Sequence, residues 1–460
     1  MSLATVRRAP RGLSGRRVAP HASVDLPAWP LLAWLYGFPI FWVTGFSLFA
    51  PLVLGGVMLF FLVMRGRLQT APGVLPWFAF LAWVGVCAVS LTGFLQAVGF
   101  AQRTADLAAV GVAILYYVNA RETITPKRVL GGFAVLWTTV VVLGTLGTIF
   151  PDVRITTPLA QVLPGSLLSN ELVRELVQPR LAEVQEPWGV EEPFVRPAAP
   201  FPYTNSWGMA YAMLTPMMVL VWTKLSSRAL RVLLAIGLAG SLYPAVQTSN
   251  RGMLIALGVF TVYIGVRHML AGNGKVGLVV FGALGAVAGV LAATGAFAAI
   301  AGRQEYSDTT TGRSRIYEAT FEKVMESPLV GWATPGMDVS IGIALGTQGY
   351  AWTLMYSYGL VGLAVFLVFL ARVLLATWRL HSATAYVLHG LVATVAVTIW
   401  FYGLGVTQCL ILGLSAAMLG RSLQRFDESG EQELETWQRA RVARVTTTPR
   451  PAPPRVLQSA

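Results

Sequence analysis

The chain has 460 residues, of which 55% are hydrophobic and only 12% are charged, and its formal net charge is +13. A soluble protein carries about twice that charged fraction, so the composition excludes an ordinary soluble enzyme and predicts that lipid surrounds most of the chain. The two cysteines, Cys87 and Cys409, lie in apolar segments, which excludes a disulfide framework and a cysteine-rich metal site.

Apolar segments follow one another after a basic arm, residues 1–28, and we expect the first to be an uncleaved span. Their continuous apolar character excludes a membrane β-barrel, in which apolar and polar residues alternate. The predicted fold class is all-α, a polytopic membrane bundle of about 12 transmembrane helices within residues 29–420. The predicted spans lie near residues 30–46, 48–64, 74–92, 101–119, 129–150, 206–222, 231–248, 252–270, 276–298, 350–371, 384–401 and 404–420.

The placement of lysine and arginine predicts the orientation of these spans. Of the 34 basic residues, 24 fall on the side that holds both termini. The positive-inside rule makes that side cytoplasmic and places two long polar loops, residues 151–205 and 299–349, outside an inner (cytoplasmic) membrane. We therefore attribute the basic excess to topology and to anionic lipids, with no nucleic-acid partner. The tail, residues 421–460, is predicted to be cytoplasmic and disordered.

The two outer loops are expected to contain short amphipathic helices. Proline recurs through the first loop and limits helices there to short pieces such as Ser166–Val177. In the second loop, the pattern predicts a helix over Ser314–Glu326 that Pro328 ends.

Four polar groups stand out on the predicted outer side: Arg196 with Phe201-Pro-Tyr-Thr-Asn205, Thr248-Ser-Asn-Arg251-Gly, Gly312-Arg313-Ser-Arg315, and Thr347-Gln348-Gly349. Arginine offers a planar fork that fits phosphate oxygens two at a time. An interfacial arginine can instead contact lipid headgroups or pair with an acid, and we favour that interpretation for Arg315. Arg103 and Asp106 are one helical turn apart, so we interpret them as an internal ion pair.

The order of these pieces, with Pro328-Leu-Val-Gly331-Trp332 and Tyr358-Gly-Leu-Val-Gly-Leu363, resembles the O-antigen ligase and Wzy-type polymerase superfamily. The resemblance covers roughly residues 196–366. It implies a metal-independent, inverting glycosyltransferase that takes a polyprenyl-diphosphate-linked glycan as donor and a glycan or glycolipid as acceptor. By this resemblance we expect Arg196 and Arg251 to be catalytic and Asn205, Arg313 and Gln348 to bind substrate.

One departure from the family bears on the mechanism. The ligases have a His-Asn pair where this chain has Gln348 and Gly349. Glutamine cannot act as a general base, which leaves the base open among the outer carboxylates Glu305, Asp308 and Asp338. A polymerase of an exported polysaccharide, or a divergent transferase, is therefore favoured over a lipopolysaccharide ligase.

No cofactor is expected, because the sequence contains no HExxH motif, Walker loop or carboxylate cluster with metal-ligand spacing. The expected partners are the lipid-linked donor, the acceptor and membrane lipids, with a chain-length regulator and a flippase of the same pathway as further candidates. The alternative function is a lipid-linked oligosaccharide flippase or polysaccharide transporter, which would move its substrate without releasing diphosphate.

Overall fold

A computed structural model of the chain describes residues 25–169, 171–185, 193–293, 309–338, 343–430 and 433–434. It is mainly helical. The helices are α1 Trp29–Tyr36, α2 Phe38–Thr44, α3 Ala50–Arg65, α4 Leu75–Val86, α5 Phe94–Asn119, α6 Pro126–Ile149, α7 Pro158–Val162, α8 Gly165–Leu168, α9 Glu171–Val177, α10 Thr204–Lys224, α11 Arg228–Gly240, α12 Leu242–Gln247, α13 Arg251–Leu270, α14 Gly274–Ala293, α15 Thr309–Glu326, α16 Tyr350–Thr377, α17 Ala383–Thr398 and α18 Val406–Ser429.

Each predicted span overlaps helix in the structure, although the first is divided between α1 and α2 and the seventh between α11 and α12, and residues 294–298 of the ninth lie outside the described residues. Among the described residues, six stretches are long and apolar enough to cross a membrane by length and composition: 94–119, 126–149, 228–247, 251–270, 350–377 and 406–429. Four shorter apolar helices accompany them. The chain is thus a multi-pass helical membrane protein, and the full number of crossings and their direction stay predictions.

Helix α18 lies at the centre of the bundle, with 89% of its most apolar stretch buried. It packs against α5 and α17, while α16 packs against α4, and α10 packs against α6 and α13. Helix α11 has no buried residue and lies at the periphery.

Two small antiparallel sheets correct the all-α prediction. Strand β1 (Ala182–Gln185) pairs with β2 (Phe194–Pro197), and β3 (Met337–Asp338) pairs with β4 (Ile343–Ala344). The prolines of the first loop predict only short helices. Strands β1 and β2 are separated by residues 186–192, which lie outside the described residues, and neither strand shows a sequence pattern that predicts its pairing with the other.

The loop helices differ in part from their predictions. The range predicted as one helix, Ser166–Val177, contains the two short helices α8 and α9. The predicted helix of the second loop is confirmed as α15 and begins earlier, at Thr309. Ile316, Thr320 and Val324 lie on one face of this helix, and all three are buried.

Two glycine motifs of the second half pack directly against each other. Helix α16 is kinked at Gly359, which has φ of 69°. A Cβ atom there would collide with the carbonyl group of Leu329, and one on Gly331 would collide with the carbonyl group of Tyr356. The Leu360 N–H donates to the Pro328 carbonyl at 2.7 Å. Glycine is required at both positions because backbone meets backbone.

The predicted boundary at residue 421 between membrane domain and disordered tail is wrong. Helix α18 continues to Ser429, and Arg421 is 1% exposed. Its guanidinium donates to the carbonyl oxygens of Tyr117 and Ile124 and pairs with Glu433. A buried arginine whose three nitrogens all donate hydrogen bonds belongs to the folded core. Residues 435–460 lie outside the described residues.

Candidate functional site

The first turns of four long helices, α10, α13, α16 and α18, meet at one end of the bundle, which we call the loop end. Three hydrogen bonds join them in turn. Asn250 Nδ2 donates to Asn205 Oδ1 at 3.4 Å, the Tyr350 N–H donates to the Tyr402 carbonyl at 2.7 Å, and Gln408 Nε2 donates to the Ser206 carbonyl at 2.9 Å. Each helix N-terminus carries about half a positive charge, so their convergence favours an anion at this end.

Strand β2 places Arg196 beside the turn that precedes α13. Arg196 Nε donates to the Thr248 carbonyl at 2.9 Å, and Nη1 lies 3.9 Å from Glu183 Oε2 on the paired strand. The two side chains are only 12% and 14% exposed. Thr204, at the start of α10, donates to the same Glu183 oxygen at 2.8 Å. Arg196 therefore fastens the first loop to the turn and to α10.

Arg251 is the first residue of α13, and Asn250 caps that helix by accepting from the Met253 N–H. Ser249 has φ of 45°, in the left-handed region that few side chains adopt. The Tyr402 hydroxyl donates to Asn250 Oδ1, and a Cβ atom on Gly252 would meet the Tyr402 ring. The turn is thus held from both sides, and the position of the partly buried Arg251 is fixed with it.

Asn205 and Gln348 lie at the same end of the bundle. Asn205, in the first turn of α10, accepts from the Asn250 side chain. Gln348 precedes α16 and donates to the neighbouring Thr347 hydroxyl at 3.4 Å. The next residue, Gly349, leaves no room for a Cβ atom against the Trp400 carbonyl, so this segment packs on the connector that carries Tyr402.

Arg313 lies in α15, and its side chain falls outside the described residues. The helix itself is anchored at the loop end. The Tyr317 ring stacks on Trp352 of α16 with centroids 4.6 Å apart, and Thr320 Oγ1 accepts from the Gly346 N–H. The structure therefore brings the arginine-bearing turns of Arg196 and Arg251 together and places the helix of Arg313 against the start of α16.

The predicted ion pair between Arg103 and Asp106 is wrong. Their charged atoms do not come within 4.0 Å, and neither side chain forms a hydrogen bond to the residues that the structure describes. Both instead line a cavity of about 310 Å³ with Ser206, Tyr350 and Thr353. Asp106 Oδ1 is enclosed and has no hydrogen-bond partner among the described residues. The spacing of one helical turn therefore does not lead to contact between the two side chains.

Tyr402 is the residue of this end that the sequence analysis missed. Its hydroxyl bonds to the cap of α13, its carbonyl accepts from the start of α16, and its side chain is buried. The signal available in the sequence was weak: an aromatic residue in the short connector between the last two predicted spans.

The described part of the chain holds no group of three or more His, Cys, Asp or Glu side chains that could bind a metal ion. Of the carboxylates left open as bases, Glu305 and Asp308 lie outside the described residues, and so does the side chain of Asp338. The arrangement offers converging helix N-termini with two arginine-bearing turns, and a cavity that Arg103 and Asp106 border.

Comparison of the chain with protein-family models finds no match, and comparison with curated proteins finds none either.

Proposed function

We propose that the chain is a membrane glycosyltransferase of the O-antigen ligase and polymerase type. It would polymerise or transfer a polyprenyl-diphosphate-linked glycan at the outer face of the cytoplasmic membrane, for a cell-surface or exported polysaccharide. The observation that carries this proposal is the hydrogen bond from Arg196 to Thr248. It sets two arginine-bearing segments, 52 residues apart in the chain, side by side at the loop end.

The electrostatics of the loop end favour a diphosphate. Arg251 opens a helix of 20 residues, so its guanidinium and the helix N-terminus act on the same region. Arg196 has one nitrogen on the Thr248 carbonyl and another near Glu183, so part of its capacity serves the turn. We therefore propose that Arg196 and Arg251 both contact the diphosphate and that Arg196 also positions the turn.

The reaction would be an inverting transfer. An acceptor hydroxyl attacks the anomeric carbon of the donor sugar, and the new glycosidic C–O bond forms as the bond to the diphosphate oxygen breaks. The electron pair leaves with polyprenyl diphosphate, and the hydroxyl proton passes to a carboxylate or to water. The protein's share is to neutralise the departing charge and to hold the two substrates together, which are the largest contributions in reactions of this kind.

The test is turnover by the purified full chain in lipid nanodiscs with a polyprenyl-diphosphate-linked oligosaccharide. We expect Arg251→Ala to lower the release of polyprenyl diphosphate by about 10²–10³-fold, the loss seen when one positioned donor is removed. Arg251→Lys should also lose activity, because lysine keeps the charge and not the planar fork.

Arg315→Ala provides the matched control, because Arg315 lies in α15 with an exposed side chain. It should behave as the wild type. Near wild-type release by both Arg251 variants would contradict the diphosphate role. Movement of the lipid-linked oligosaccharide across the bilayer without release of diphosphate would favour the flippase instead.

A further inference from the structure

An enclosed, unpartnered carboxyl oxygen within a membrane bundle needs an explanation. A membrane interior offers little water to an unpaired carboxyl group, and such residues commonly mark substrate or ion pathways. Asp106 Oδ1 is enclosed without a hydrogen-bond partner among the described residues, although Arg103 lies only one helical turn away. Neither the packing of α5 nor the arginine turns at the loop end makes use of this carboxyl group. Asp106 is only partly buried and borders a cavity together with Arg103, so a ligand in that cavity meets the carboxyl group at its other oxygen.

The size and lining of the cavity suit a small polar ligand with apolar faces. Its volume of about 310 Å³ is at the lower end of the range for small-molecule sites, about 300–1,000 Å³. The rings of Tyr350 and Tyr358 supply flat apolar surface, and Arg103 and Asp106 supply donors and acceptors on neighbouring turns of one helix. A pyranose sugar has this combination of hydroxyl groups around its edge and C–H groups on its faces.

The cavity is joined to the arginine turns through α10. Ser206 lines the cavity, and the preceding residue, Asn205, is hydrogen-bonded to Asn250 next to Arg251. On its other side, Arg103 also borders a second cavity of about 430 Å³ together with Gln96, Trp332 and Tyr356. Sugar units next to a diphosphate held by Arg251 would find room here, whereas the lipid could remain in the membrane.

We propose that the Arg103–Asp106 cavity binds a neutral sugar unit of the glycan, with Asp106 accepting a hydrogen bond from a sugar hydroxyl and Arg103 donating to sugar oxygens. This inference rests on the proposed function and adds the part of the substrate that the arginine turns do not contact. Arg251 would bind the diphosphate, and the cavity would bind the saccharide.

The experiment separates these two parts with two probes. Nanodiscs that contain the full chain are titrated with undecaprenyl diphosphate and, separately, with undecaprenyl-diphosphate-linked oligosaccharide extracted from cells that lack this chain. We expect Asp106→Asn to weaken binding of the glycan-bearing lipid by about tenfold, as for the loss of a buried hydrogen bond to a charged group. Binding of undecaprenyl diphosphate should not change. Arg103→Gln, as a second variant, should show the same pattern.

Asp152→Asn is the matched control, since Asp152 is an exposed carboxylate of the first loop, and it should bind both probes normally. Arg251→Ala should weaken both probes, and unchanged binding of both by this variant would contradict the proposed function. Unchanged binding of the glycan-bearing lipid by both Asp106→Asn and Arg103→Gln would overturn the inference while leaving the diphosphate role standing. Equal weakening of the two probes by Asp106→Asn would overturn it as well.

Discussion

Two positions along α5, Tyr117 near its end and Asp106 near its middle, lie beside charged groups in opposite circumstances. At the end near the tail, which we call the tail end, the carbonyl of Tyr117 accepts from Arg421, whose guanidinium also reaches the Ile124 carbonyl and Glu433 and lies 3.7 Å above the Tyr117 ring. Near the middle of the helix, Asp106 has an enclosed oxygen with no hydrogen-bond partner among the described residues. The guanidinium of Arg421 is thus held by buried acceptors, whereas the carboxyl group of Asp106 has none beside its cavity.

This difference separates architecture from function within one helix. A buried guanidinium whose three nitrogens all donate hydrogen bonds fixes the relative position of the segments that it joins. A buried carboxyl oxygen without a partner does not stabilise the fold, so its presence is better explained by something that binds there. The free energy of unfolding in a single detergent compares the contributions of Arg421 and Asp106 to stability.

The largest loss is expected for Arg421→Met. The substitution removes the partner of the buried Glu433 and the donors to two buried carbonyl oxygens. Removal of one member of a buried ion pair typically costs about 3–5 kcal/mol, because the remaining charge stays buried and unpaired. Thermal or chemical unfolding of the purified protein measures this loss.

Arg425→Met is the control, because Arg425 is exposed one turn further along α18. It should unfold as the wild type does. The double variant Arg421→Met/Glu433→Met should recover part of the loss, since it leaves no unpaired charge. A double variant no more stable than Arg421→Met would show that the ion pair is not the source of the effect.

The sequence identified the helices well because the membrane imposes a local rule. A span must be continuously apolar, and that property is visible in any window of about 20 residues. The tail boundary was missed because a basic residue after an apolar run, such as Arg421, has the same pattern whether it faces cytoplasm or pairs with a distant Glu433. Local sequence does not show the partner.

The sequence proposes residues for the candidate site and does not predict the contacts between them. The arginines at 196 and 251 were identified by type and by resemblance. Their linkage through Thr248 depends on a tertiary contact over 52 residues. For Arg103 and Asp106 the spacing itself misled, because a separation of three residues on a helix permits an ion pair and does not require one. The cavity beside them is formed by four other segments, which no periodicity in α5 reveals.

An intermediate loss is expected at the loop end for Tyr402→Phe. The buried hydroxyl donates to Asn250 Oδ1, which also caps α13. Its removal leaves that cap with one donor fewer and should cost about 1–2 kcal/mol. Tyr243→Phe, at an exposed position of α12, should cost nothing measurable. A loss as large as that of Arg421→Met would indicate that the loop end is as tightly built as the tail end, and the contrast drawn here would fail.

The smallest change is expected for Asp106→Asn. No hydrogen bond or ion pair to the described residues is lost, and a neutral amide costs less to enclose than a carboxylate. The free energy of unfolding should therefore stay within about 0.5 kcal/mol of the wild type or increase. The same unfolding measurement tests this prediction, with Asp152→Asn as the exposed control.

A loss of several kcal/mol would mean that Asp106 stabilises the fold through a partner, and its carboxyl group would then have a structural role like that of Arg421. Unchanged stability together with weakened binding of the glycan-bearing lipid would show that Asp106 serves ligand binding, since the substitution would then affect binding and not folding.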